Sequence, residues 1–548
     1  MKLARKALFP ALVPLALFGF EAGAATVRLS APGVNTVERS ERFLEPSGQK
    51  VVHVSFGLQE LSLERGKGEL SVYQKLSLPG VNSTSDIGQP MLPFQAVTVQ
   101  GEGVEVEASL GTPVALQVGR LLPAQEEACR CANLDRRVKE FRDEVDSYAS
   151  PESYYKLQSL GDFRGTRVSR VLLLPHRYDA KSGMLYLYPK ASYKISYRPN
   201  LVKQGAGAYD YLVISKRANF AALEPWIAHK RISQNLRFNV VAFEDMNATT
   251  AEAVKNWIHA EFNRAQFKYS LIVGGENQIP QTRVETTTDR NTPSDLPYYT
   301  MGDATDVIPE VYGGRIVADS PETVSHVVSK WIAYERDSSA SVGWSRAVGI
   351  ASNEGANPSD ADYVTAIQGR FTANLGSQSI YFYQNNADST PAAFNAALDT
   401  GAWWVTYLGH GSGTDWPSFG STYSVQHIAQ LRNAAAVKPV WIDVACLNGI
   451  LRPANAGAHL MGDVDPSGSP IGTTAYYGGT VLVSWHPPAI FARGVGFHVA
   501  ATQNAILGEA LQAGQKYLTE NTSGVNDIAS NQRWYHLQGD PSMRLRVK

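Results

Sequence analysis

Continuous apolar runs alternate with amphipathic helical segments through the second half of the chain, and this pattern constrains the fold most strongly. "YDYLVIS", "YSLIVGG", "RAVGIAS", "WWVTYL" and "VWIDVA" are strand-like runs, and segments such as "TAEAVKNWIHAEFNRA" and "PETVSHVVSKWIAYERD" have helical spacing. Strands that are apolar on both faces are typical of a parallel sheet covered by helices. We therefore predict an α/β domain, with a mostly parallel sheet and helices on both faces.

The first half of the chain has a different pattern. Short alternating runs such as "VVHVSFGLQEL", "VSRVLLLP" and "SYKISYRP" are separated by Gly, Pro, Asn and Ser, which is typical of a mainly-β structure. The stretch "NLVKQGAGA", residues 200–208, has the composition of a linker. We predict a β-rich domain over residues 26–205 and an α/β domain over residues 206–548.

The N-terminus predicts export. "MKLARKALFPALVPLALFGFEAGAAT" has a basic start, an apolar centre and small residues suited to cleavage after Ala24 or Ala25, so residues 1–25 are predicted to be a signal peptide. No later run reaches about 18 apolar residues, so we expect no membrane span and a secreted, periplasmic or extracellular location. The formal net charge of −1 argues against nucleic acid as a partner.

The chain has only three cysteines, which excludes a disulfide-based scaffold. Cys129 and Cys131 lie together in "EEACRCANL". A bridge between cysteines so close in sequence would be strained, so we expect both to be free thiols in a loop. Cys446 is then an odd cysteine in an oxidising compartment, and its presence there needs a reason.

Reactive side chains follow two of the apolar runs. His410 comes after "WWVTYL", and Cys446 comes after "VWIDVA". In a parallel sheet the carboxyl ends of the strands share one edge, where such folds bind their ligands. A cysteine thiolate is a strong nucleophile near neutral pH, and an imidazole can stabilise it and protonate a leaving amine. We predict that Cys446 and His410 form the catalytic pair of a cysteine peptidase acting on polypeptides.

Two further features support this pair. Glu354 follows the run "RAVGIAS" and is the candidate to orient the imidazole. Gly409 and Gly411 flank His410 and permit close approach of a substrate backbone, so the amides of Gly411 and Cys446 are the predicted oxyanion donors. The alternatives are a buried structural cysteine, a His-Gly turn and a solvated glutamate.

Three segments, "YLGHGSGTDW", "IDVACLNG" and "ASNEG", resemble the catalytic motifs of the gingipain-like peptidases, a caspase-related group of cysteine endopeptidases. The similarity extends over residues 208–548, and "GQPMLPFQAVTV" resembles the prodomain of the family. The resemblance implies a caspase-like catalytic domain that follows a mainly-β, gingipain-type prodomain. It also implies that Cys446 is the nucleophile, His410 the general acid and Glu354 the group that orients His410.

The resemblance also bears on specificity and on metals. Arginine-specific relatives hold the basic side chain of the substrate with an aspartate, and in "NEGANPSDADYV" either Asp360 or Asp362 is the candidate, with Trp485 against the pocket. We expect cleavage after Arg or Lys; the alternative is that "PSDAD" caps a helix. No cofactor is expected for the chemistry. Family members bind calcium, so "MGDATDV" and "GDVDPSG" are candidates for a structural ion, without assigned metal ligands.

Two other functions stay open. One is a sortase-like transpeptidase of the same family, which would join proteins to an amine acceptor. The other is a catalytically inactive secreted protein that binds partners through the same fold. Product analysis with an added amine tests the first, and labelling by a thiol-directed peptidyl probe tests the second.

The resemblance of the first half to a prodomain implies that the protein is made as a zymogen. The prodomain is expected to act as an intramolecular inhibitor that blocks the active edge until the chain is cut near Lys203. N-terminal sequencing of the mature secreted protein should then give a start close to residue 204. A start at residue 26, or deep inside the β-rich region, would contradict this prediction.

Overall fold

The computed structural model describes residues 25–30, 32–44, 47–127, 129–130, 140–199, 207–303, 305–355 and 358–546. The predicted signal peptide lies outside these residues apart from Ala25. Lys203, where processing is expected, also lies outside them.

Short strands form the part of the chain before residue 200, as the alternating pattern predicts. They are β1 (Ala25–Arg28), β2 (Thr36–Leu44), β3 (Gln49–Gly57), β4 (Glu60–Arg65), β5 (Tyr73–Ser77), β6 (Asn82–Ser83), β7 (Pro93–Gln100), β8 (Glu102–Leu110), β9 (Val114–Gln117), β10 (Arg120–Leu121), β11 (Tyr155–Phe163), β12 (Thr166–Leu173), β13 (His176–Asp179), β14 (Met184–Leu187) and β15 (Lys190–Arg198). Their sheets have the orders β1-β4-β5-β10, β11-β12-β7-β6, β13-β14-β9 and β2-β3-β15-β8. Inward-facing residues such as Val52, Val97 and Leu173 share one apolar core.

Strands and helices alternate after residue 207. The strands are β16 (Tyr211–Ser215), β17 (Phe238–Ala242), β18 (Tyr269–Val273), β19 (Thr282–Val284), β20 (Thr292–Ser294), β21 (Tyr312–Ile316), β22 (Arg346–Ala351), β23 (Gln378–Tyr383), β24 (Trp404–Leu408), β25 (Asp415–Trp416), β26 (Tyr423–Ser424), β27 (Val440–Val444), β28 (Ala475–Gly479) and β29 (Tyr535–Gln538). The helices are α1 (Phe220–Gln234), α2 (Ala251–Ala265), α3 (Leu296–Tyr299), α4 (Pro321–Arg336), α5 (Asp360–Leu375), α6 (Pro391–Thr400), α7 (Val425–Ile428), α8 (Ala456–Gly462), α9 (His486–Ala501), α10 (Leu507–Asn521) and α11 (Val525–Trp534).

The main strands of this part divide into two sheets. The smaller has the order β17-β16-β18-β21 and is parallel throughout. The larger has the order β23-β22-β24-β27-β28-β29 and is parallel except for the edge strand β29. Its central strands are fully buried, because helices cover both faces.

One predicted strand is shorter than its apolar run suggests. "TAYYGGTVLVSW" gives β28 only, and residues 481–485 leave the sheet as an irregular segment. The backbone partners of this segment lie elsewhere: the Val481 carbonyl accepts from the Leu447 amide, and the Val483 carbonyl accepts from the Arg130 amide. Residues 481–485 therefore lie beside Cys446 instead of extending the sheet.

The β-rich part packs on the carboxyl end of α10. The guanidinium of Arg170 is buried and donates to the carbonyls of Thr522 and Ser523 at 2.6 Å each, and to Thr519 at 3.2 Å. These carbonyls lie where the helix leaves its acceptors without intrahelical partners, so the arginine both satisfies them and complements the helix dipole. No helix among the described residues is long and apolar enough to span a membrane.

Gly314 in β21 gives a direct test of how the two sheets meet. A Cβ at this position would lie against the Gly539 carbonyl, closer than real Cβ contacts allow, whereas a Cβ at Gly369 in α5 would meet nothing within 4 Å. Gly314→Ala should lower the free energy of unfolding by about 1–3 kcal/mol. Gly369→Ala, the matched control, should raise it by up to about 1 kcal/mol because alanine favours helix. Thermal unfolding of both variants measures the difference, and equal midpoints would contradict the packing described.

Candidate active site

Three predicted catalytic residues follow three adjacent parallel strands. Ala351, Leu408 and Val444 are aligned across β22, β24 and β27, at or next to the last residue of each strand. Glu354 comes three residues after the first of these positions, and His410 and Cys446 come two residues after the others. The register of the sheet therefore places the three side chains along one edge.

His410 is held from several sides. Its Nε2 lies 2.8 Å from Oε1 of Glu354, its backbone amide donates to the Ser418 hydroxyl, and its carbonyl accepts from the Tyr407 hydroxyl. The ring also meets Trp485 edge to face, at 5.4 Å between centroids. Nδ1 is buried and has no hydrogen-bond partner among the described residues. The contact with Glu354 fixes the orientation of the ring and leaves Nδ1 available for proton transfer.

Cys446 precedes a tight turn. Leu447 has φ +66°, in the left-handed region, and the Asn448 amide donates back to the Cys446 carbonyl at 2.8 Å. This hydrogen bond closes a strained γ-turn, a conformation that non-glycine residues rarely adopt. The turn directs the chain away from β27 immediately after the cysteine.

Gly411 lies where the loop of His410 contacts the loop of Cys446. A Cβ at Gly411 would lie against the Cys446 carbonyl and the Ala445 side chain, so no larger residue fits there. Behind this contact, Asn448 accepts from the Gly413 amide through its side-chain oxygen at 2.8 Å. The loop of His410 thus packs directly on the loop of Cys446.

The thiol of Cys446 is covered in this form of the protein. It is fully buried, and its sulfur accepts from the Val483 amide at 3.3 Å. Burial raises the pKa of the thiol to about 12, although the amides of Val483 and Arg130 and the charge of Arg130 act in the opposite direction. At neutral pH the Cys446 thiol is therefore protonated in this arrangement.

The group that covers Cys446 is Arg130, from the segment between β10 and β11 of the β-rich part. Its guanidinium is fully buried and forms two hydrogen bonds, of 2.8 and 2.7 Å, with the carboxylate of Asp360. It also stacks on Trp485 at 4.3 Å and donates to the Trp485 carbonyl. Burial by itself would lower the pKa of Arg130, but Asp360 outweighs it and the pKa is raised.

The backbone of Arg130 is bound as well as its side chain. Its amide donates to the Val483 carbonyl at 3.0 Å, and its carbonyl accepts from the Gly411 amide at 3.2 Å. Gly411 is one of the two predicted oxyanion donors. Arg130 therefore has its carbonyl at a predicted oxyanion position and its side chain in a pocket that ends in a carboxylate.

The sequence profile of peptidase family C25 matches residues 205–546. The chain belongs to peptidase family C25. Gingipain R2 of Porphyromonas gingivalis is 30% identical over 270 residues, which cover 46% of this chain and 34% of that protein. Lys-gingipain of the same species is 24% identical over 475 residues, which cover 76% of this chain and 26% of that protein. The chain thus spans about a third or less of the length of these curated relatives.

Two solved structures are similar to the C25 chain. The Arg-specific cysteine proteinase gingipain R has a TM-score of 0.57 at 25% identity, over 64% of this chain and 80% of that one. The complex of Porphyromonas gingivalis RgpB pro- and mature domains has a TM-score of 0.56 at 26% identity, over 62% and 80%. These findings confirm two predictions, a gingipain-like cysteine peptidase and a caspase-like α/β fold preceded by a mainly-β part.

The structure separates the two aspartates that the sequence left as alternatives. Asp360 is buried and lies at the end of the arginine pocket, where Ser352 also donates to it at 2.7 Å. Asp362 instead accepts from the amide and the hydroxyl of Ser359, in the capping box at the start of α5. The helix-cap alternative thus describes Asp362, and the Trp485 ring lies against the Arg130 guanidinium.

Two residues of the candidate site, Arg130 and Asp443, were not predicted from the sequence. Arg130 gives one local signal, an arginine between two cysteines in "ACRCA". Asp443 is a carboxyl inside the apolar strand β27, where it accepts from Trp416 and Asn448, and burial raises its pKa to about 7. Through Asn448 it supports the turn that follows Cys446.

Two expectations about ligands and thiols need comment. Cys129 is disulfide-bonded, so the expectation of a free thiol there is wrong; Cys446 is free. In the candidate calcium stretches, Asp303 and Asp465 accept from amides and hydroxyls of their own loops through Oδ1, and a structural ion there stays a prediction. Among the described residues no group of three or more acidic, histidine or cysteine side chains is placed to hold a metal.

Proposed function

We propose that this chain is the precursor of a secreted cysteine endopeptidase that cleaves polypeptides after arginine. The supporting observation is Arg130, a residue of the chain itself that is held in the manner of a substrate. Its side chain pairs with Asp360, and its carbonyl accepts from Gly411 beside Cys446. A peptide with arginine before the scissile bond fits the same contacts.

The proposed reaction uses only groups of the chain. Cys446 gives its proton to His410, and the thiolate attacks the carbonyl carbon of the bound arginine. The Gly411 and Cys446 amides stabilise the oxyanion. His410, oriented by Glu354, protonates the leaving amine as the peptide bond breaks. Water then hydrolyses the thioester and regenerates the thiol. No cofactor is assigned to these steps, and no step is assigned to calcium.

The pocket favours arginine over lysine. A planar guanidinium can form two parallel hydrogen bonds with a carboxylate while its face stacks on an aromatic ring, and Arg130 makes both contacts, with Asp360 and Trp485. A lysine ammonium forms a point contact and lacks the planar face. We therefore narrow the expected preference from basic residues to arginine.

In the precursor, Arg130 supplies latency. It fills the pocket and excludes water from the Cys446 thiol, whose raised pKa keeps it protonated and weakly nucleophilic. The β-rich prodomain, anchored by Arg170 on α10, holds Arg130 in place. Processing near Lys203 would allow the prodomain to leave, after export directed by residues 1–25.

Asp360→Asn in the processed enzyme tests the specificity. Loss of the carboxylate leaves the substrate guanidinium buried without its counter-charge, so kcat/KM for an arginine peptide should fall about 100-fold or more. Asp362→Asn is the matched control; it changes a cap on the surface and should alter kcat/KM by less than about twofold. Fluorogenic peptides with Arg or citrulline before the scissile bond give the readout.

Two results would count against the proposal. One is an equal loss in both variants, because it would show that Asp360 acts only through the stability of α5. The other is transfer of the acyl group to an added amine as the main reaction in water, because it would favour the transpeptidase alternative. Hydrolysis products with a free arginine carboxyl group are the expected result.

A further inference from the structure

The segment before Arg130 makes a second polar contact with the catalytic part. Glu127 lies three residues before Arg130, and its Oε2 accepts from the backbone amides of Trp485 and His486 at 2.9 and 2.8 Å. The Glu127 side chain is half-buried. The carboxylate therefore occupies a defined site, and one atom receives two main-chain hydrogen bonds.

This site lies at the amino end of α9, a helix of 16 residues. Amides at a helix N-terminus have no intrahelical acceptors, and the helix dipole favours negative charge there. The next two residues are Pro487 and Pro488, which have no N–H to donate. The Trp485 and His486 amides are thus the donors that remain at this end of the helix, and Glu127 uses both.

Trp485 connects this site to the arginine pocket. Its carbonyl accepts from the Arg130 guanidinium, its ring stacks on that group, and its amide donates to Glu127. One residue of the catalytic part thus contacts both charged side chains of the bound segment. The spacing between the two contacts is fixed by the backbone of Trp485 and by the three-residue interval from Glu127 to Arg130.

We propose that the mature enzyme has an anion subsite at the start of α9 that recognises a carboxylate side chain three residues before the cleaved arginine. The preferred substrates are polypeptides with the pattern Glu-X-X-Arg, cut after the arginine. This inference rests on the proposed function, because Arg130 marks the substrate position only if the chain is an arginine-directed peptidase. In the precursor, Glu127 uses the same subsite to hold the inhibitory segment.

The subsite distinguishes glutamate from glutamine by charge rather than by size. Glutamine has the shape of glutamate and can still accept from the two amides, but it lacks the charge that strengthens these hydrogen bonds and interacts with the helix dipole. Two charge-assisted hydrogen bonds at a partly exposed site correspond to about a tenfold preference. The site is remote from the scissile bond and binds substrate and transition state alike, so the effect should fall on KM more than on kcat.

The test uses the processed wild-type enzyme and three peptides, Glu-Ala-Ala-Arg, Gln-Ala-Ala-Arg and Lys-Ala-Ala-Arg, each with the scissile bond after the arginine. We expect kcat/KM to fall about tenfold from Glu to Gln, further for Lys, and to approach equality at high salt. A peptide with Glu moved one residue closer to the arginine is the positional control and should behave like the Gln peptide. Equal rates for the Glu and Gln peptides would overturn the inference.

The full-length precursor gives an independent readout, with a control next to the tested residue. Glu127→Gln should weaken the hold of the inhibitory segment and raise the peptidase activity of the unprocessed chain several-fold. Glu126→Gln removes the same charge from an exposed neighbour and should leave that activity unchanged. Equal activity in the two variants would overturn the role of Glu127.

The two proposals fail in different ways. If the processed enzyme cleaves no arginine peptide, the proposed function is wrong. If it cleaves arginine peptides at rates that do not depend on the residue three positions earlier, only the anion subsite is wrong.

Discussion

The buried ion pair between Arg130 and Asp360 joins the two halves of this chain at the catalytic cleft. Both side chains are fully excluded from solvent. Their desolvation is offset by the two hydrogen bonds between them, by a hydrogen bond from the Ser352 hydroxyl to Asp360, and by the stacking of Arg130 on Trp485. Removing one partner of such a pair costs about 3–5 kcal/mol, because the other charge stays buried without compensation. In the precursor the pair therefore favours the arrangement in which Arg130 covers Cys446.

The same interaction explains why a peptidase can carry its own inhibitor. In the proposed function, the contacts that hold Arg130 are also those of a substrate arginine, so that latency and specificity depend on one pocket. The sheet makes this arrangement rigid: β22, β24 and β27 end in register, and the close packing of Gly411 on the Cys446 carbonyl fixes the two catalytic loops against each other. The distant contact of Arg170 with the end of α10 adds affinity without entering the cleft.

Local sequence signals were enough to place the three predicted catalytic residues at one edge of the sheet. Each of Glu354, His410 and Cys446 follows an apolar run, and the parallel arrangement of those runs implies that the three residues meet. The choice between Asp360 and Asp362 could not be made this way, because both lie within the first turn of α5 and either could cap it. The two aspartates differ in the structure because Arg130, a residue distant in sequence, pairs with Asp360 and not with Asp362.

Long-range contacts account for the rest of what the sequence did not predict. Arg130 lies 230 residues from Asp360, and no periodicity or spacing links the two. Residues 481–485 have the composition of a strand, yet their carbonyls accept from Leu447 and Arg130, so they leave the sheet. Asp443 lies in an apolar strand, where only the structure shows its partners, Trp416, Asn448 and Tyr476.

Covalent labelling of Cys446 tests the central claim most directly. A peptidyl chloromethyl ketone probe ending in arginine, which alkylates a thiolate with loss of chloride, is compared with one ending in citrulline, which has the same shape without the charge. The modified peptide is located by mass spectrometry. The account predicts that the processed enzyme is modified at Cys446 by the arginine probe far faster than by the citrulline probe, and that the precursor reacts slowly with both. Equal labelling by the two probes, or modification at another residue, would contradict it.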